Sequence, residues 1–297
     1  MKRVKKSKYP NSVNLFLFCQ SILQKRMGKR VQDQDIGALL EFNPSDCSHW
    51  KRGEKNIRSI HAFSAISSRL DISMNTIQDI ARGKIDHEEG LFESQELKSM
   101  FHTLTKVHHT KPKQYSEVQR YITHFVQNIH TSCDWTTPPL YLPELMHFFP
   151  QIHLQKAEIF DRLTRILKKT PHEYVIQHRK KDLTAHTRIA IAYDIARIIT
   201  TTLRHDYPDL GDGQEQMHDI EAILFSFNAF SPYHLIQKEL QKIDIRKNIV
   251  QELAETLWVP RSVISFQLNA MAILQMHDME NIRLTNEDKS SHLSLQV

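Results

Sequence analysis

Histidine, cysteine and the acids could ligate metals or move protons, but few of them stand at a useful spacing here. Eighteen histidines are present, and His102, His108 and His109 have no Cys or Glu partner at ligand spacing. They read as surface residues. The three cysteines, Cys19, Cys47 and Cys133, form no CxxC and are odd in number. Such usage fits a reducing compartment rather than a disulfide framework. The cations are more informative. Residues 1–90 carry 16 Lys+Arg against 10 Asp+Glu, whereas residues 91–297 carry 23 against 24. All of the net +5 therefore arises at the front. A basic module joined to a neutral one points to a polyanionic partner, nucleic acid first.

The elements that would position these groups are helical. Hydrophobic residues make up 40% and charged residues 25%, with only seven glycines, which excludes collagen-like and linker-type chains. The longest apolar runs, such as Asn14–Cys19, fall well short of the roughly 20 residues that span a bilayer. The basic start followed by Val13–Leu23 resembles a signal peptide only briefly. Asn14, Gln20 and Ser21 break its apolar part, and no small-x-small site follows. Bulky Phe18 argues against a lipoprotein reading of Cys19. The expectation is a basic arm over residues 1–12 and a cytoplasmic protein.

From Val13 onward apolar residues recur at helical spacing: Phe16, Cys19, Ile22 and Leu23, then Ile36, Leu39 and Leu40. Gly28 suits the end of the first helix, with Lys25, Arg26, Lys29 and Arg30 around it. Asp33 is read as N-cap of the second helix, which ends near Glu41-Phe42. Asn43-Pro44-Ser45-Asp46 opens a third, with a cap residue, proline at the first position and first-turn negative charge. Two short helices across a tight turn make a helix-turn-helix pattern.

The run Ile36-Gly-Ala-Leu-Leu-Glu-Phe-Asn-Pro-Ser-Asp-Cys-Ser-His-Trp-Lys-Arg-Gly53 resembles the lambda-repressor-like (XRE-type) helix-turn-helix without a gap. Ile36 and Gly37 stand at its Leu-Ala, Cys47 at its buried Ile, and Trp50, Arg52 and Gly53 at its Trp-x-Arg-Gly. Ile60–Leu70 and Asp71-Ile-Ser-Met are similar to the family's fourth helix and its close. The resemblance implies a four- to five-helix DNA-binding domain over residues 13–83. Its third helix would enter the major groove. Carried over, Pro44, Ser45 and His49 would face bases, with Asp46 and Ser48 beside them, while Arg52, Lys55 and Arg58 would face phosphates. Two departures stand out: Asp33 replaces a phosphate-facing Gln, and Pro44 replaces a long polar reader.

Residues 84–134 read as a helical connector of two helices split around Thr110-Lys-Pro-Lys. One stripe is Leu97, Met100, Phe101, Leu104 and Val107; the other is Val118, Tyr121, Ile122, Phe125 and Ile129. Such stripes serve as internal core or as a dimer seam.

Beyond Pro138-Pro139, helices are expected over Leu140–Phe149, Ile159–Leu167, Arg188–Thr201, Ile220–Phe230, Ile249–Leu257 and Arg261–Leu274, with a strand over Tyr174–His178. Two stretches resemble the ImmA/IrrE-type zinc metallopeptidase. Arg188-Ile-Ala-Ile-Ala-Tyr-Asp-Ile-Ala-Arg197 stands where that family has Arg-Phe-Thr-x-Ala-His-Glu-Leu-Gly-His. Glu221-Ala-Ile-Leu-Phe-Ser-Phe-Asn-Ala-Phe-Ser-Pro232 is similar to its downstream acidic motif, and Leu253–Val259 to its closing helix pair. The resemblance implies an α-rich α+β zincin-like domain with a small sheet over residues 135–285, then a polar tail over 286–297.

The zinc chemistry is lost from this signature. Such a site needs two histidines at i and i+4 and a glutamate beside the first. Tyr193 and Arg197 hold the histidine positions and Asp194 the glutamate's; only the acid Glu221 (or Asp219) remains. Arginine has no lone pair to give a metal. The expectation is a degenerate site with no metal and no cofactor, in which Arg197 replaces the metal's charge and pairs with Glu221 or Asp194. Leu253–Ile264 also superposes by residue type on Ile36–Cys47; packing rather than a second DNA reader is expected there, since acids surround it.

The expected protein is thus a mostly α transcription regulator that binds double-stranded DNA as a homodimer and is not an enzyme. Its pseudo-metallopeptidase domain would serve dimerisation or sensing of a small-molecule or protein effector. A metallopeptidase with an atypical metal site and a scaffold that does not bind DNA are the alternatives.

Overall fold

The computed structural model describes residues 7–160, 162–179, 182–210, 214–244 and 246–272. The polar tail, and Lys2, Arg3, Lys5 and Lys6 of the basic arm, lie outside them. The chain forms two compact units, Met1–Thr103 with Lys156–Arg165 and Gln177–Lys181, and Leu104–Gln155 with Ile166–Ile176 and Asp182–Val297. The fold is mostly helical, with one small sheet.

In the front unit α1 spans Pro10–Met27, α2 Asp33–Gly37, α3 Pro44–Lys51, α4 Ile60–Leu70, α5 Met74–Arg82 and α6 His87–Leu91. A 3-10 turn, Ala38–Leu40, extends α2. Helix α1 begins inside the expected arm, because Pro10 at N1 presets the helical φ and loses no donor that the helix needs. Gly28 closes α1 in the left-handed region (φ 62°), as its position suggested. Asp33 is the first helical residue rather than the cap. Gln32 is the cap, and Asp35 reaches back to the Gln32 N–H at 2.8 Å. The core is Leu15, Phe16, Phe18, Ile36, Cys47, Trp50, Phe63, Ile66, Leu70, Ile77 and Ile80 with their neighbours. Trp50 anchors it. Its indole N–H donates to Ser12 O at 2.8 Å, and its ring meets Phe16 edge-on at 5.3 Å.

A π-helical stretch, Phe92–Leu97, leads to α7, Lys98–Thr110, and α8 spans Pro112–Ser132. The division between the units falls within α7, so the expected connector is shared out rather than separate. Val118, Ile122, Phe125 and Ile129 on α8 are buried within the back unit, which gives this stripe to the core and not to a seam.

Next come α9 (Leu142–Met146), β1 (Ile152–Ala157), β2 (Thr164–Thr170), β3 (Glu173–Arg179), α10 (Ala185–Thr201), α11 (His218–Phe230), α12 (Tyr233–Leu240), α13 (Ile249–Leu257) and α14 (261–272). The sheet order is β1-β3-β2, so the expected strand is the central one. Ile159–Leu167 is not a helix. Ile159 and Leu163 are buried from a loop, and the chain then extends into β2. Apolar residues at i and i+4 fit a short loop-to-strand passage as well as a helical face. Helices α10 and α11 pack together and are buried on nearly every side. Phe125, Phe149, Tyr207 and Phe225 stack around them at centroid distances of 5.5–6.1 Å. Among the described residues, no helix is long and apolar enough to cross a membrane.

Candidate functional site

The front site is built by the seam between α2 and α3. Asn43 caps α3 by accepting the Asp46 N–H at 2.8 Å, and Pro44 fixes the first helical φ. A Cβ on Gly37 would lie 3.2 Å from Cys47 Cβ and from Phe42 O, so a side chain there would press the two helices apart by a few tenths of an ångström. Cys47 fills the seam, its thiol donating to Asp33 O at 2.7 Å. Burial, and then Asp33, pushes that thiol's pKa up. With Cys47 and Trp50 turned inward, α3 presents Pro44, Ser45 and His49 to solvent, with Asp46 and Ser48 half-buried beside them. The expected base-facing residues therefore share one exposed face.

The expected phosphate-facing residues sit at its edge, and acids hold most of them. Arg52 caps α3 and grips Glu54, Nε at 3.2 Å from Oε1 and Nη2 at 3.1 Å from Oε2. Glu54 Oε2 also lies 2.6 Å from His49 Nδ1. Lys55 pairs with Asp46 at 3.0 Å and stands 3.9 Å over the Phe42 ring. Lys51 pairs with Asp33 at 2.9 Å. The Arg52 hydrogen bond, then His49, pulls the Glu54 carboxyl below the ordinary carboxylate range. Arg58 is exposed and has no ion pair among the described residues. A groove of about 440 Å³ is lined by Leu39, Phe42 and Ile57 together with Lys55, Arg58 and Arg69.

In the back unit the expected pairing is not formed. Arg197 is exposed and lies 5.9 Å over the Tyr193 ring. Glu221 is fully buried and engages Arg204 instead, through Nη1 to Oε2 at 2.6 Å and Nη2 to Oε1 at 2.9 Å. The Tyr121 hydroxyl donates to the same carboxylate. Burial, then Glu221, pushes the Tyr121 phenol up. The correction has a simple cause. Position 197 falls on the outward side of α10, whereas Arg204 follows the helix end and folds back beneath it. Asp194 is buried on α10 and has polar interactions of its own. Arg197 thus stays on Tyr193, and Arg204 takes the place expected for it at Glu221. Among the described residues no three His, Cys, Asp or Glu side chains gather as metal ligands would.

Two buried basic side chains had no role assigned from the sequence. Arg188, at the first residue of the signature-like run, is fully buried between the rings of Phe230 (4.1 Å) and Trp258 (4.5 Å). It donates to the carbonyls of Leu140, Leu257 and Trp258, which closes the C-terminus of α13 where carbonyl charge is negative. Burial pulls its pKa down to about 10. The turn between α13 and α14, with Trp258 left-handed at φ 55°, is thereby fixed into the core. His130 is the second. Its Nε2 donates to Ala229 O at 3.0 Å, Nδ1 has no partner among the described residues, and burial pulls its pKa down to about 4. Period alone cannot reveal such long-range partners. No protein-family profile matches the sequence, and no curated protein does.

Proposed function

We propose that the protein is a sequence-specific DNA-binding transcription regulator that reads duplex DNA with α3. The observation that carries the reading is the α2–α3 seam. Gly37 and Cys47 bring the helices close, while Ser45 and His49, one turn apart on α3, face solvent. Such a helix fits the major groove with those residues at base edges. Lys2, Arg3, Lys5 and Lys6 supply four of the six surplus charges of residues 1–90. The acids around α3 balance its own bases, so the sequence-independent attraction falls to the basic arm and to cations such as Arg58.

The back unit, in this reading, serves dimerisation or effector sensing in a cytoplasmic homodimer, and peptide hydrolysis is not its task. Ligand chemistry supports this, since Tyr193 and Arg197 stand where a zincin-like signature needs imidazoles. The test is a salt titration of duplex binding by the full chain. Affinity should fall by about 0.9 log units per log unit of salt for each phosphate neutralised. Ser45→Ala should relax base preference, whereas Arg58→Ala should weaken all duplexes alike. Absence of retention on any duplex at low salt would leave the interaction-scaffold reading. Peptide cleavage by the purified chain would restore the enzyme reading.

A further inference from the structure

We propose that Glu54 sets the specificity of the α3 surface, as an internal carboxylate that holds Arg52 and His49 until DNA displaces it. The inference rests on the DNA-binding reading. It starts from three contacts: Arg52 Nε and Nη2 at 3.2 and 3.1 Å from the two Glu54 oxygens, and His49 Nδ1 at 2.6 Å. A guanidinium gripping two carboxylate oxygens uses the donors that would grip a phosphate. Glu54 therefore occupies a phosphate-contact residue and a base-reading residue at once. Both partners are half-exposed, so water already screens the pair and exchange is cheap. Lys51–Asp33 and Lys55–Asp46 add two ion pairs beside α3, and the whole face is close to charge-neutral.

The consequence is a discrimination between duplexes. Any duplex offers phosphate to Arg52, but releasing Arg52 also strips His49 of its carboxylate. Only a site whose base edge accepts His49 replaces that second contact. A mismatched duplex leaves His49 without a partner, so the clasp weakens mixed-sequence binding more than matched binding.

The experiment compares the full chain with its Glu54→Gln variant. Two duplexes are used, one of mixed sequence and one selected from a random pool by the wild-type protein. Glu54→Gln should bind the mixed duplex about three- to tenfold more tightly and the selected one with a smaller gain, which lowers their ratio. Its salt slope on the mixed duplex should steepen by about 0.9, the share of one further phosphate. Carbon-13 titration of free protein gives an independent reading. Glu54 should titrate below the ordinary carboxylate range, and Arg52→Ala should raise it. An unchanged ratio and slope in Glu54→Gln, or an ordinary Glu54 titration, would overturn the inference while leaving DNA binding intact. If neither protein retains either duplex at low salt, the DNA-binding reading fails first and takes this one with it.

Discussion

Arg52 with Glu54 and Arg204 with Glu221 are the same chemical pair in two different solvents. The first lies on the front unit with side chains 55% and 50% exposed; in the second Arg204 is 13% exposed and Glu221 fully buried. Water competes for both members of the first pair, so its net strength is small and either partner can be exchanged for an outside ligand. Around the second, Tyr121 donates to the carboxylate, and Arg204 Nη2 also reaches Leu210 O at 2.8 Å. No ligand can take its place without unpacking α8 from α11. Residue identity alone therefore does not separate a binding surface from a structural lock. Desolvation does.

That contrast can be broken most directly at Arg204. Arg204→Ala leaves Glu221 charged, buried and short of its cation, and should cost about 3–5 kcal/mol in thermal or denaturant unfolding. A loss no larger than that of a surface variant would erase the distinction. His130 comes next. Its pKa falls from 6.5 unfolded to about 4 folded. The unfolded chain thus binds the extra proton, and stability should drop as pH is lowered from about 6.5 to about 4, by roughly 3 kcal/mol in all. Below that window the contribution is constant. His130→Gln should flatten the slope, read from denaturant midpoints across pH. Gly37→Val forces branched carbon into the α2–α3 seam and should cost about 1–3 kcal/mol, with duplex binding falling along with the unfolding midpoint. Smallest is Arg197→Ala, at about 0–1 kcal/mol by the same measurement, because its guanidinium is already in water.

Local punctuation was legible along the chain. Gly28, Asn43-Pro44 and the apolar stripes of α8, α10 and α11 specify their elements through sterics and caps acting within one or two turns. The acid Glu221 was legible too, but its partner was not. Arg204 lies 17 residues away along the chain, past the end of α10, and Arg197 stood nearer the signature-like pattern. Tyr121 read only as one member of an apolar stripe. Its hydroxyl matters because α8 lies against α11, a contact that no periodicity encodes. Strands β1 and β2 escaped for a related reason. They are largely exposed, so they lack the alternation that marks a half-buried strand. At the front, Ser45 and His49 were singled out by the family resemblance of the Ile36–Gly53 run, whereas the hold of Glu54 on His49 depends on how the chain turns after Gly53.

The cysteines follow the same division into protected and accessible groups. Cys19 and Cys47 are buried in the front unit, and Cys133 of the back unit is partly exposed. Burial pushes all three thiols up, with Glu144 adding to it at Cys133, so access rather than acidity sets the order of reaction. An alkylating reagent should modify Cys133 first, then pause until the front unit opens. Mass spectrometry would count one adduct per chain in the native state and three after unfolding. The two late adducts would then time the opening of the front unit alone, with no probe added to the protein.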